Sequence, residues 1–199
     1  MMVCGGFTKM KFKADRLDIE KPDYFFYIDE EIYFRELRRT DLNGRWPFWF
    51  NDPQITEFTK GFYPTTRESQ EKYFDSINQS ETDVVLAIID RKTNIHIGNV
   101  GLHNINFIHR TAQFGIVLGE KGMWGKGIGS KVWKLMVKYG FQILNLHKIN
   151  ATVMDGNEAS LKCALKAGFQ IEGRQLEQAY KNGKYYDLIH LGILKKDLK

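Results

Sequence analysis

Between Phe114 and Ile143 the chain passes from a short apolar run through a glycine-dense loop into an amphipathic segment, and this passage restricts the fold more than any other stretch. Phe114-Gly115-Ile116-Val117-Leu118 is short, apolar and partly β-branched, the pattern of a buried strand. Gly122-Met123-Trp124-Gly125-Lys126-Gly127-Ile128-Gly129-Ser130 follows, with four glycines and a lysine. Ile128, Val132, Leu135, Tyr139 and Ile143 then recur at intervals of three and four, one face of a helix. Glycines at such a junction let amide groups turn inward with no Cβ in the way, and the helix start adds N–H groups without acceptors and a partial positive charge. The junction therefore suits an anion such as a pyrophosphate.

The spacing excludes two common phosphate loops. In G-x-x-x-x-G-K-[ST] the lysine follows the last glycine, whereas Lys126 precedes Gly127. In G-x-G-x-x-G the pair Gly125 and Gly127 would need a third glycine where Ser130 stands. What remains is G-x-G-x-G entering a helix, a pattern that plain turns also show. Downstream, residues 148–154 read as a second strand, Asp155-Gly156 as a turn, and Asn157 as the N-cap of a helix that Gly168 ends in the left-handed C′ position. Strand, glycine loop, helix, strand, helix, strand is a βαβ-type order.

At these residues the sequence resembles the GNAT superfamily of N-acetyltransferases, in the branch like the RimJ and RimL ribosomal-protein acetyltransferases. Trp124-Gly125-Lys126-Gly127-Ile128-Gly129 is similar to the family's acetyl-CoA loop, [Q/R/W]-G-x-G-x-[G/A]. Asn157-Glu158-Ala159-Ser160 with Lys166-Ala167-Gly168-Phe169 resembles its N-x-x-S and trailing K-x-G-F, and Trp49-Phe50-Asn51-Asp52-Pro53 its W-x-N-D-P. The likeness covers roughly residues 32–195. It implies an α/β (α+β) GNAT fold, a central, mixed, largely antiparallel twisted sheet of about seven strands flanked by about four helices.

The resemblance also implies acetyl-CoA as acetyl donor and an amine as acceptor. The backbone of Ile116, Val117 and Leu118 would bind the pantetheine arm. The amides of Trp124, Gly125, Lys126, Gly127, Ile128, Gly129 and Ser130 would hold the diphosphate, with Lys126 as an electrostatic partner. Asn157 would contact the pantetheine, though an N-cap role alone is an equally open reading. Ser160 would donate to the departing thiolate, or else only cap the helix. Many GNATs place a tyrosine seven residues after the asparagine, where this chain has Ala164.

The general base is less marked. Gln113, on the strand before the glycine loop, stands where the family often has a glutamate and cannot take a proton at neutral pH. His103 is the candidate, since histidine is the residue type suited to the task, although a lone strand histidine is commonly structural. Acceptor selection is expected from residues 38–63 and the last hairpin, with Trp49, Asn51 and Gln113 as substrate-binding candidates. The cluster Arg35, Arg38, Arg39 and Arg45 favours a protein N-terminus or an amino-sugar nucleotide. A polyamine or other small amine is the alternative, as is a non-catalytic acyl-CoA-binding or ribosome-associated module.

At 199 residues, with 43% hydrophobic and 27% charged residues, the chain is long enough for one well-filled domain, expected over residues 22–199. Residues 1–21 read as a flexible N-terminal arm. No apolar run reaches membrane-span length and no signal-peptide core is present, so a cytoplasmic protein is expected. Cys4 and Cys163 form no metal-ligand or disulfide pattern, and no metal site is expected. A net charge of +5 is a mild excess that the phosphates of coenzyme A could use, so nucleic-acid recognition is not expected. A homodimer is left open.

Further along, residues 24–28 and 32–37 read as a hairpin, Thr40 and Asp41 as the start of a helix ended or kinked by Pro47, and Thr65-Thr66-Arg67-Glu68 as the capping box of a helix reaching about Asn78. Three strands are expected over residues 84–89, 95–105 and 111–118. Asn182-Gly183 marks a two-residue hairpin.

Overall fold

A computed structural model describes residues 26–59 and 63–198. The expected N-terminal arm, Tyr24 and Phe62 lie outside the described residues. Strands β1 (Phe26–Ile28) and β2 (Ile32–Glu36) lead through a 3-10 turn (Arg39–Asn43) to helices α1 (Trp46–Trp49), α2 (Pro53–Thr56) and α3 (Arg67–Gln79). Strands β3 (Val84–Asp90), β4 (Ile95–Asn106) and β5 (Thr111–Leu118) follow, then α4 (Ile128–Gln142), β6 (Lys148–Met154), α5 (Glu158–Lys166), β7 (Gln170–Lys181) and β8 (Lys184–Leu194). One sheet takes all eight strands in the order β1-β2-β3-β4-β5-β6-β8-β7. Only the β5–β6 pair is parallel among the described strands, so the mixed, largely antiparallel GNAT sheet is present, with one strand more than the approximate count.

Alternation along the strands builds two cores. Leu86, Ile88, Val100, Leu102, Phe114, Ile149 and Leu191 face one side, where α4 adds Val132, Trp133, Met136 and Val137. Val85, Ala87 and Ile89 face the other, beneath Trp46 and Trp49 of α1 and Phe74 of α3. Full burial of each α4 side chain of this size contributes about 1.5–3 kcal/mol, which is what holds that helix to the sheet. Trp133 stacks on Phe114 with centroids 3.8 Å apart and meets Phe169 edge-on at 5.0 Å, tying β5 to the start of β7.

Local punctuation follows the expected chemistry with four departures. Gly168 at φ 99° ends α5, and Asn182 and Gly183 both have positive φ in the β7–β8 turn. Pro47, however, stands in the first turn of α1, where its missing N–H is harmless, and so opens a helix. Asp41 starts no α-helix; it lies within the 3-10 turn. The cap of α3 is Thr66, whose hydroxyl accepts from Ser69 N–H at 3.2 Å while Ser69 Oγ accepts from Thr66 N–H at 3.0 Å, one residue beyond the expected box. Ile143 follows the last residue of α4 and is exposed, so the apolar stripe stops at Tyr139.

Candidate active site

The parallel pairing of β5 with β6 lasts only from Thr111↔Lys148 to Gln113↔Asn150. Beyond Gln113, β5 remains paired with β4 as far as Leu118↔Gly98, but β6 has moved away to its partner β8. A gap therefore opens beside residues 114–118, into which alternate residues of β5 direct their N–H and C=O groups. Gly115, Ile116, Val117 and Leu118 are all only half-buried along it.

The glycine loop lies at the end of β5. Gly125 and Gly127 take φ of 73° and 82°, left-handed conformations that ordinary side chains resist, and a Cβ at either would meet open space. Gly127 is the N-cap of α4 and no side chain among the described residues caps that helix. Its first bond across the junction runs from Lys131 N–H to the Gly127 carbonyl at 3.3 Å, so the amides of Ile128, Gly129 and Ser130 precede the helical ladder. Trp124 folds back, its indole N–H donating to the Leu118 carbonyl at 2.9 Å. Among the described residues Lys126 has no ion-pair partner, whereas Lys121 is held by Asp52 at 2.7 Å.

Helix α5 begins beside this loop. Asn157 Oδ1 accepts from Ser160 N–H at 3.1 Å, so the cap is supplied by the asparagine side chain. The half-buried Ser160 hydroxyl has no hydrogen-bond partner among the described residues. One turn on, Cys163 Sγ lies 3.4 Å from Ser130 Oγ, joining the start of α4 to the middle of α5.

The opposite face of the sheet carries a polar row. His103 pairs with Gln113 across β4–β5, Gln113 with Asn150, and Thr152 with His190. Gln113, Asn150, Thr152 and His190 line a cleft of about 350 Å³ with Asn104, Thr111 and Ala112. His190 Nε2 contacts Gln175 Oε1 at 2.8 Å and its Nδ1 lies 3.4 Å from Thr152 Oγ1. Sequence reasoning singled out His103 and Gln113 but missed Asn150, Thr152 and His190. Their alternation with Ile149, Ala151 and Ile189 marked the face; only the strand order brings them together.

The W-x-N-D-P segment is occupied with internal partners. Trp49 is buried, its indole N–H donating to Glu120 at 3.2 Å, and a Cβ on Gly119 would fall 1.9 Å from its ring. Asn51 clips residue 65 from both sides, donating to the Thr65 carbonyl and accepting from its N–H, each at 2.7 Å. Asp52 caps α2 through Gln54 N–H at 3.0 Å. The segment thus braces the approach to the glycine loop, while Gln113 alone of the three substrate-binding candidates lines the cleft.

A sequence model of the acetyltransferase (GNAT) domain matches residues 31–170. A spermidine N(1)-acetyltransferase of Vibrio cholerae is 31% identical over 176 residues, 84% of this chain and 95% of that protein. The uncharacterized N-acetyltransferase YoaA of Bacillus subtilis is 36% identical over 172 residues, 83% of this chain and 94% of that protein. Among solved structures, the Vibrio cholerae spermidine N-acetyltransferase in complex with CoA and spermine superposes with a TM-score of 0.79 at 27% identity, covering 85% of this chain and 98% of that one.

Proposed function

The chain belongs to the GNAT acetyltransferase family and is an acyltransferase with acetyl-CoA as its donor, and from that premise we propose that it acetylates a primary amine of a small polyamine-like acceptor. The observation that carries the site assignment is the end of β5–β6 pairing at Gln113, which leaves backbone groups of Ile116, Val117 and Leu118 for the pantetheine arm. The amides of residues 125–130 take the diphosphate, with Lys126 beside them, and Asn157 and Ser160 lie next to the thioester sulfur. The polyamine class rests on the named relatives. It displaces the peptide and amino-sugar expectation drawn from the arginine cluster, much of which is internally paired: Arg35 with Asp41, Arg38 with Glu36, Arg39 with Asp75 and Arg45 with Glu120.

The acceptor ammonium first gives a proton to a base, for which His103 is the candidate. The neutral amine then attacks the thioester carbonyl carbon, the C–N bond forms and the C–S bond breaks. The second N–H proton passes to Ser160 Oγ as that hydroxyl gives its own to the sulfur, leaving the amide, the free thiol of CoA and a restored serine, and the base returns its proton to water. The non-catalytic reading suggested by Gln113 and Ala164 is not retained for an acyltransferase. The N-x-x-S spacing at Asn157 and Ser160 keeps the RimJ/RimL-like chemistry of the leaving group, and a cytoplasmic location goes with the donor.

One observation favours a second acceptor class, a peptide N-terminus: no carboxylate is among the described residues lining the β5–β6 cleft, and a polycation would use one. Thiol release from acetyl-CoA with spermidine, spermine, a peptide with a free N-terminus and an amino-sugar nucleotide separates the classes. Turnover confined to the peptide would overturn the polyamine reading. Ser160→Ala should lower kcat on the order of 10²-fold while the stabilisation by acetyl-CoA persists, and an unchanged rate would reduce Ser160 to a helix residue.

A further inference from the structure

We infer that Asp83 is a positioning residue for His103, fixing its ring so that Nε2 receives the acceptor's proton; this rests on the acetyl-transfer reading above. His103 Nδ1 lies 3.0 Å from Asp83 Oδ1. The carboxylate is itself held: Ser80 Oγ donates to its other oxygen at 2.7 Å and the Asn104 N–H to Oδ1 at 3.3 Å. An ionised carboxylate only accepts, so Nδ1 carries the hydrogen and Nε2 keeps its lone pair. Among the described residues Nε2 has no hydrogen-bond partner.

The ring lies flat along the sheet because two glycines admit it. A Cβ on Gly101 would stand 2.8 Å from His103 Nε2, and one on Gly115 would stand 3.2 Å away. Neither glycine has a positive φ, so the need for a bare backbone here is close approach. Gln113, the cross-strand neighbour of His103, lines the cleft where an acceptor would enter. Asp83, immediately before β3, is the titratable group in contact with the ring; Tyr73 of α3 feels the Asp83 charge, and His190 lines the neighbouring cleft. Tyr73 stays neutral, since burial and then the charge of Asp83 push its hydroxyl up. Asp83 is depressed: burial acts to raise it, but the hydrogen bonds from Ser80 and His103 outweigh that. An anionic Asp83 stabilises the imidazolium formed when Nε2 takes the proton.

The test combines ring ¹⁵N NMR of the resting protein with pH profiles of kcat/KM at saturating acetyl-CoA for wild type, H103Q, D83N and the double variant. His103 is expected as the Nδ1–H tautomer, lost in D83N. H103Q should lower kcat on the order of 10²-fold, and D83N by less, with the KM for acetyl-CoA unchanged in both. In D83N the acidic limb should move to lower pH, since the anion that favoured the imidazolium has gone, and the double variant should be no slower than H103Q. A uniform rate loss in D83N with an unmoved limb, additive losses in the double variant, or an Nε2–H tautomer in the wild type would each overturn the dyad. Stabilisation by acetyl-CoA without turnover on any amine would instead overturn acetyl transfer, and the tautomer would still decide the dyad. The NMR result on the wild type also holds where D83N fails to fold.

Discussion

Asp41 is 8% exposed and nonetheless ionised. Burial acts to raise its pKa, but the side-chain hydrogen bonds from Arg35, the Arg38 N–H and the Arg35 charge together bring it below the ordinary carboxylate value. Arg35 grips both oxygens, at 2.8 and 2.7 Å, in the fork geometry that suits a carboxylate. Beside it, His96 is held neutral mainly by burial, and with the Asn99 amide turned so that its nitrogen donates to His96 Nε2 at 2.7 Å, its oxygen accepts from Trp46 at 2.9 Å. Because the folded pKa of Asp41 is below its unfolded value, its contribution is complete above the unfolded pKa and disappears as pH falls through the folded one. Asp41→Asn should therefore cost about 3 kcal/mol at neutral pH, with the gap to wild type narrowing in acid. Urea unfolding at pH 7 and at pH 3 measures both. Neither Asp41 nor Asp83 announced its partner in the sequence. Arg35 and His103 come from strands whose placement depends on the whole sheet.

At the scale of elements, the glycine loop and the caps were legible because each is a local matter of backbone freedom and hydrogen-bond supply. Gly125, Gly127 and Gly168 occur where left-handed backbone was needed, and Asn157 caps the helix it precedes. Pro47 misled because a proline both ends and begins helices, and only the following turn tells which. The expected box ran from Thr65 to Glu68, but Ser69 answers Thr66, which moves the cap one residue on. The polar row of Asn150, Thr152 and His190 was hidden for a different reason: parallel register between β5 and β6 is set across an intervening helix. Gly127→Ala should separate backbone cost from binding. Its Cβ would meet no neighbour among the described residues, so stability should fall by only about 1 kcal/mol for the left-handed conformation. Affinity for acetyl-CoA, read by calorimetry, should fall about tenfold, or 1.4 kcal/mol, if the loop amides hold the diphosphate. Equal affinity would remove the loop from the donor site.

Over the whole molecule, strands β1–β5 and β6–β8 form two runs of antiparallel pairing joined by three residue pairs and by α4 and α5. Sub-global opening should follow that seam, since the number of backbone bonds to be broken is smallest there. Amide hydrogen exchange should show residues 148–154 and 184–194 opening together and more readily than β3 and β4. Acetyl-CoA at a hundredfold excess over its Kd should add about 2.7 kcal/mol, slowing exchange about a hundredfold in amides whose opening expels the ligand. Exchange that stays uniform across the seam would deny it any mechanical meaning. If the donor bridges both runs, it substitutes for the missing part of a ladder, and its affinity becomes a gauge of how well the two are joined. Substitutions in the α4–β6 packing, far from any acetyl group, would then register first as a weaker hold on the donor and only later as a less stable protein.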